Sequence, residues 1–134
     1  MELAPYLTFN GNCEAAFKLY EQLLGGKIEL MMRNGESPMA NETPPELKDK
    51  ILHVRMTVRG QALMGSDAPP GRFEKLQGSW VSLSVDSTAE AERIFKALLD
   101  NGTSVMSLQK TFWAERFGMC VDRFGTPWMV NAEK

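Results

Sequence analysis

Apolar and polar residues alternate from Tyr6 to Phe9, then meet Asn10-Gly11-Asn12, a turn and helix-cap signal. Beyond it Ala16, Phe17, Tyr20, Leu23 and Leu24 fall on one helical face, and Gly25-Gly26 stops the helix. The same order of signals returns in the second half. Trp80 to Val85 alternate, Ser87 and Glu90 form a capping box, and Ala91, Ile94, Phe95 and Leu98 make a second apolar stripe closed by Asn101-Gly102. The two strand–helix units are offset by roughly 75 positions, so the chain reads as an internal repeat.

The parallel continues downstream. Residues 28–33 and 104–108 read as the next strands, and the long alternating runs 51–59 and 112–121 as the third strands. Each third strand reaches a glycine turn, at Arg59-Gly60-Gln61 and at Arg123-Phe124-Gly125-Thr126. Short apolar strands follow, Ala62-Leu63-Met64 and Trp128-Met129-Val130. Asp122, Arg123 and Gly125 are read as turn chemistry rather than catalysis. The expected class is therefore α+β: two tandem βαβββ modules with mainly antiparallel, curled sheets enclosing a cleft. A single domain is expected over 1–134, with module one at about 1–65, a linker at about 66–78 and module two at about 79–134. Two irregular stretches interrupt the pattern. Asn34 to Asp49 is a proline-containing loop with a short helical turn expected at Pro45 to Lys48, and Gly65 to Gly78 joins the modules. Ser66 and Asp67 open that joining segment and could cap a turn.

Composition narrows the classes of function. A 134-residue chain is long enough to bury about two-thirds of the surface that its unfolded form exposes. Net charge is −2 with Lys and Arg scattered, so no basic stripe suits nucleic acid or an anionic membrane. No apolar run approaches a membrane span, and Met1-Glu2-Leu3-Ala4-Pro5 lacks the regions of a signal peptide, so a cytoplasmic home is expected. Cys13 and Cys120 stand far apart with no CxxC or CxH partner, which argues against zinc. Cys13 opens a helix, where the dipole could lower its pKa. The glycines are spaced as turns, without a GxGxxG or P-loop pattern, so no nucleotide cofactor is indicated.

This layout resembles the vicinal oxygen chelate superfamily, which groups glyoxalases, bleomycin-resistance proteins and extradiol dioxygenases. It is most similar to the PhnB-like branch, often labelled after demethylubiquinone methyltransferase. YLTFNGNCEAAFKLY, PPELKDKILHVRM, ALMGSDAPP and FWAERFGMCVDRFGTPWMVN carry the resemblance, in the branch's order and over nearly the whole chain. The resemblance implies one divalent metal held by ligands from the first and last strands of each module, His or Gln on the former and Glu on the latter. It would act as a Lewis acid toward two neighbouring substrate oxygens. Carried onto this chain, the first-strand positions fall at Tyr6 and Trp80, and the last-strand positions at Met64 and Met129. Phenol, indole and thioether groups are poor ligands for hard or borderline cations. The inherited metal site is read as erased, with no metal and no cofactor expected.

What remains is a candidate ligand-binding set of Tyr6, His53, Met64, Trp80, Trp113 and Met129. Apolar and aromatic walls with a few polar tips suit a small hydrophobic or aromatic molecule. His53, the lone histidine, is expected to share a strand face with Ile51, Arg55 and Thr57 and is a candidate general base. Glu115, expected to alternate with Trp113 and Phe117, is the other catalytic candidate. Three readings of function follow. One is metal-free binding of a small molecule by a homodimer. The alternative is a metal-dependent or metal-independent lyase, isomerase or dioxygenase. The third is a structural or regulatory dimer in which the same side chains fill the hollow as core.

Overall fold

The computed structural model describes residues 1–133. Its order is β1 (Tyr6–Phe9), α1 (Cys13–Leu24), β2 (Lys27–Arg33), β3 (Ile51–Val58), β4 (Gln61–Asp67), β5 (Val81–Val85), α2 (Thr88–Leu99), β6 (Thr103–Gln109), β7 (Ala114–Val121) and β8 (Pro127–Glu133). The expected strand–helix–strand–strand–strand unit thus occurs twice. Two compact units divide the chain, Met1–Glu74 and the residues from Lys75 onward.

In the first unit the strand order is β1-β4-β3-β2, with β1 parallel to β4 and the other pairs antiparallel. Alternation sends Leu7 and Phe9 to one face, where α1 covers them with Cys13, Ala16, Phe17, Tyr20 and Leu23, all buried. Phe17 meets Phe9 and Tyr20 edge-on, at centroid distances of 5.9 and 5.7 Å. The helix lies close because Gly65 lacks a side chain: a Cβ there would come within 2.7 Å of the Leu7 carbonyl oxygen and 2.8 Å of the Phe17 ring. Gly25 ends α1 in the left-handed region at φ 66°, as its sequence position implied.

The second unit has the order β5-β8-β7-β6, with β5 parallel to β8. Ala91, Ile94, Phe95 and Leu98 of α2 are buried with Trp128, Val130 and Ala132. Ser87 caps α2 by accepting the Glu90 N–H at 3.1 Å. Gly118 repeats the role of Gly65, since a Cβ there would lie 2.7 Å from the Phe95 ring. Asp122 closes the β7–β8 turn: Oδ1 accepts the Phe124 and Thr126 N–H groups at 2.9 and 3.0 Å, and Oδ2 accepts Trp128 Nε1–H at 2.9 Å.

Several local expectations change. β4 continues through Ser66 to Asp67, so these residues are strand rather than the start of a linker. Asn12 does not cap α1 with its side chain; Asp67 Oδ1 accepts the Cys13 N–H instead, at 3.0 Å, while Oδ2 accepts Ile51 N–H at 2.8 Å. A capping carboxylate can come from a neighbouring strand, which local spacing does not reveal. The loop after β2 does hold the helical turn expected at Pro45 to Lys48, as the 3-10 turn Pro45–Leu47, and adds two more at Asn34–Glu36 and Ala40–Glu42.

Each edge strand that follows a helix carries a bulge at the same place. In β2, Ile28 pairs with Met56 and Leu30 with Arg55, leaving Glu29 extra. In β6, Ser104 pairs with Cys120 and Met106 with Met119, leaving Val105 extra. Three further slips occur: one in β6 between Met106 and Gln109, and two in β3 and β7, where alternation was expected to hold. Leu52 is extra between His53, opposite Met32, and Ile51, opposite Arg33. Ile51 is therefore buried at 1% exposure and does not share the face of His53. Glu115 is likewise extra between Ala114 and Arg116, so it does not alternate regularly with Phe117.

Candidate functional site

The sheet face of the first unit that α1 leaves open is built by cross-strand pairs. Register places Tyr6 opposite Met64 and Met64 opposite Arg55, and partners directly opposite share a face. His53 lies two residues before Arg55 on β3 and joins the same face. The Tyr6 hydroxyl is 3.2 Å from His53 Nδ1, and the two rings stack with centroids 5.7 Å apart and planes inclined by 17°. Three residues of the expected ligand set, Tyr6, His53 and Met64, are thus brought together. A phenol hydrogen-bonded to an imidazole can pass or hold a proton, and the stacked pair offers a flat π surface.

Arg55 and Glu2 complete this face. Arg55 Nη1 and Nη2 each donate to one Glu2 carboxylate oxygen at 2.7 Å, a two-pronged pair, and Nη1 lies 3.7 Å from Met64 Sδ. These bonds hold the Glu2 carboxyl below the ordinary carboxylate range and push the Arg55 guanidinium further up. Glu2 was not legible as a site residue, because its partner is 53 positions away and no local pattern links them.

In the second unit, Met129 of β8 pairs with Ser82 on one side and Met119 on the other, on the face away from α2. Ser82 stands to Met129 as Tyr6 stands to Met64, so register moves the first-strand position from Trp80 to Ser82. Trp80 is half-buried immediately before β5. Trp113 is 47% exposed just before β7 and meets Phe117 and Phe112 edge-on, with centroids 5.3 and 4.7 Å away. Asn131 pairs with Phe117 and Ser84, is 8% exposed, and its side-chain oxygen has no hydrogen-bond partner. Of the two catalytic candidates, His53 lies on a sheet face with polar neighbours, whereas Glu115 sits at a bulge.

The positions that the fold would use for a metal do not suit one. Tyr6, Met64, Ser82 and Met129 supply phenol, thioether and hydroxyl groups, and no carboxylate or imidazole occupies any of the four. Among the described residues no three His, Cys, Asp or Glu side chains converge around a point that could hold an ion. Nor do the cysteines offer reactive thiolates. Burial and the nearby Asp67 and Glu14 charges push the Cys13 thiol up, overturning the expectation that the helix start lowers it. Burial, with a contribution from Asp122, pushes Cys120 up to about 11.

A separate hollow of about 580 Å³ opens in the first unit between the two irregular stretches. Met39, Leu47, Lys50, the bulged Leu52 and Pro69 are among its walls, and it shares no residue with the Tyr6 face. Lys50 Nζ donates to the Gly11 carbonyl at 3.0 Å there. Periodicity could not reveal this space, since loops without alternation form most of it.

Two open four-stranded sheets, each from a βαβββ unit with one helix, define the glyoxalase/bleomycin resistance fold. A glyoxylase/bleomycin resistance protein/dioxygenase domain from Frankia sp. EAN1pec has the same fold, with a TM-score of 0.64 and 11% identity over 99% of this chain and 95% of that one. Within this class, the model of the 3-demethylubiquinone-9 3-methyltransferase family matches residues 1–131, and the chain belongs to that family. Protein YjdN of Escherichia coli K12 is 35% identical over 142 residues, spanning 100% of this chain and 97% of YjdN. The crystal structure of protein PA1353 from Pseudomonas aeruginosa is similar at 51% identity and a TM-score of 0.91, covering 99% and 98% of the two chains. Among the described residues no helix is long and apolar enough to cross a membrane.

Proposed function

We propose that this protein binds a small hydrophobic or aromatic molecule without a metal ion, on the sheet faces that the helices leave open. The observation that carries this reading is the stacked, hydrogen-bonded Tyr6–His53 pair beside Met64. It is an aromatic and polarisable surface with a polar tip where hard ligands would be needed for an ion. Trp80, Trp113 and Met129 are assigned to the corresponding role in the second unit. The protein acts as one domain of two modules, as a homodimer in the cytoplasm, with a small molecule rather than nucleic acid or membrane as partner.

The same Tyr6–His53 contact supports a second reading. A phenol–imidazole pair is suited to moving a proton, so a metal-independent lyase or isomerase with His53 as base is the alternative. Methyl transfer, which the family's description names, would need a methyl-donor site. The glycines at Gly25, Gly60 and Gly125 serve turns with positive φ instead of a nucleotide-cradling loop, so binding is preferred here.

Titration of the purified protein with a library of small aromatic compounds, followed by NMR, tests the proposal. Binding is expected to perturb Tyr6, His53 and Met64, and Tyr6→Ala to weaken it by about tenfold, the loss of one stacking partner. A stoichiometric divalent ion retained through dialysis against chelator, or the absence of any hit on these residues, would overturn it.

A further inference from the structure

Granting the binding reading above, the geometry points to the ligand class: a planar aromatic carboxylate, whose place on Arg55 is held in this structure by the protein's own Glu2. Arg55 presents its two terminal nitrogens to one carboxylate in parallel, each bond 2.7 Å long. That fork geometry matches a carboxylate and gives orientation as well as attraction. The guanidinium shares its face with Met64, and through Met64 with Tyr6, whose ring stacks on His53. A flat π surface next to a fork-shaped cation is the complement of an aryl ring bearing a carboxylate.

Glu2 is built to leave. It belongs to an irregular arm before β1, and its side chain is 50% exposed. The neighbouring Met1 and Leu3 side chains are almost wholly exposed, so the arm buries no large apolar group. Pro5 is held to the sheet by its carbonyl, which accepts the Met64 N–H at 3.1 Å, so the arm can swing away upstream of that point. Displacement therefore breaks one exposed ion pair and leaves the core intact. The other acidic group felt by Arg55 is Glu29, whose Oε1 accepts the Thr57 hydroxyl at 2.7 Å and stays on its own strand. An incoming carboxylate competes with Glu2, and the arm sets a threshold on affinity.

Benzoate is the probe, with neutral benzamide as its control, and binding is read by NMR chemical shifts on the intact chain. Glu2→Gln is expected to tighten benzoate about two- to fivefold, the strength of an exposed ion pair, and to leave benzamide unchanged. Arg55→Met is expected to weaken benzoate at least tenfold, with Arg55→Lys intermediate because an ammonium lacks the fork. Unchanged thermal midpoints confirm that these surface variants fold. Equal binding of benzoate and benzamide, indifferent to Arg55→Met, would overturn the inference while leaving the binding reading intact. Shifts confined to Met39, Leu47 and Leu52 would move the ligand to the separate hollow and overturn it too. Failure of every aromatic compound to bind would remove both.

Discussion

At the scale of single residues, polar groups inside this protein divide into those that are satisfied and, among the described residues, two side-chain oxygens that are not, on Asn12 and Asn131. Asp122 accepts two backbone N–H groups and the Trp128 indole, and Trp128 is fully buried. Asp122→Ala leaves those donors without their acceptor and is expected to cost about 2–4 kcal/mol, measured by urea denaturation. Asn131 is the opposite case, a side-chain oxygen in the interior without a partner. Asn131→Leu removes an uncompensated polar atom and is expected to raise the thermal midpoint by about 3–6 °C. A fall in calorimetry would mean that the amide is satisfied in solution. Residue roles were unevenly legible. The turn function of Asp122 followed from local spacing, whereas the capping by Asp67 and the Glu2–Arg55 pair join residues distant in sequence, and composition gives no such pairing.

Elements were easier to read than their faces. Alternation and helical spacing located both helices and all the strands because burial on one face imposes a period. The faces of Ile51 and Glu115 were misread because single extra residues at Leu52 and Glu115 shift the phase, and nothing in residue type marks a bulge. Two element contacts yield tests. Gly65 sits where α1 touches β4, so Gly65→Ala is expected to destabilise by about 1–3 kcal/mol through overpacking against Phe17. Chemical denaturation measures it, and Gly118→Ala should behave alike against Phe95. Glu14 ties α1 to the end of β2: its oxygens accept from Arg33 at 2.8 and 2.7 Å, and Lys18 lies 3.0 Å away. The Arg33 hydrogen bonds, then Lys18, bring the Glu14 carboxyl down from 4.5 to about 2. A depressed folded pKa contributes stability above the unfolded value and loses it as pH falls toward the folded one. Glu14→Gln should therefore lower stability at neutral pH by about 0.5–1 kcal/mol, a figure discounted for its solvent exposure. The gap should close between about pH 4.5 and 2 in thermal melts across pH.

For the molecule as a whole, the repeat was legible because both halves repeat strand, helix and turn signals in order. The hollow was not, because its walls are aperiodic. The most far-reaching whole-molecule feature is the pair of extra residues on the outer strands β2 and β6. An outer strand in regular register is a ready template on which another chain can add hydrogen bonds without limit. Glu29 and Val105 interrupt that ladder at equivalent points and twist it locally. Deleting Val105 would remove the first of two irregularities in β6, the second lying between Met106 and Gln109, and lengthen the regular rail along a strand that already exposes Met106. Light scattering on warming is then expected to rise earlier in the variant than in the parent chain. The small irregularity is in that sense a safeguard against polymerisation.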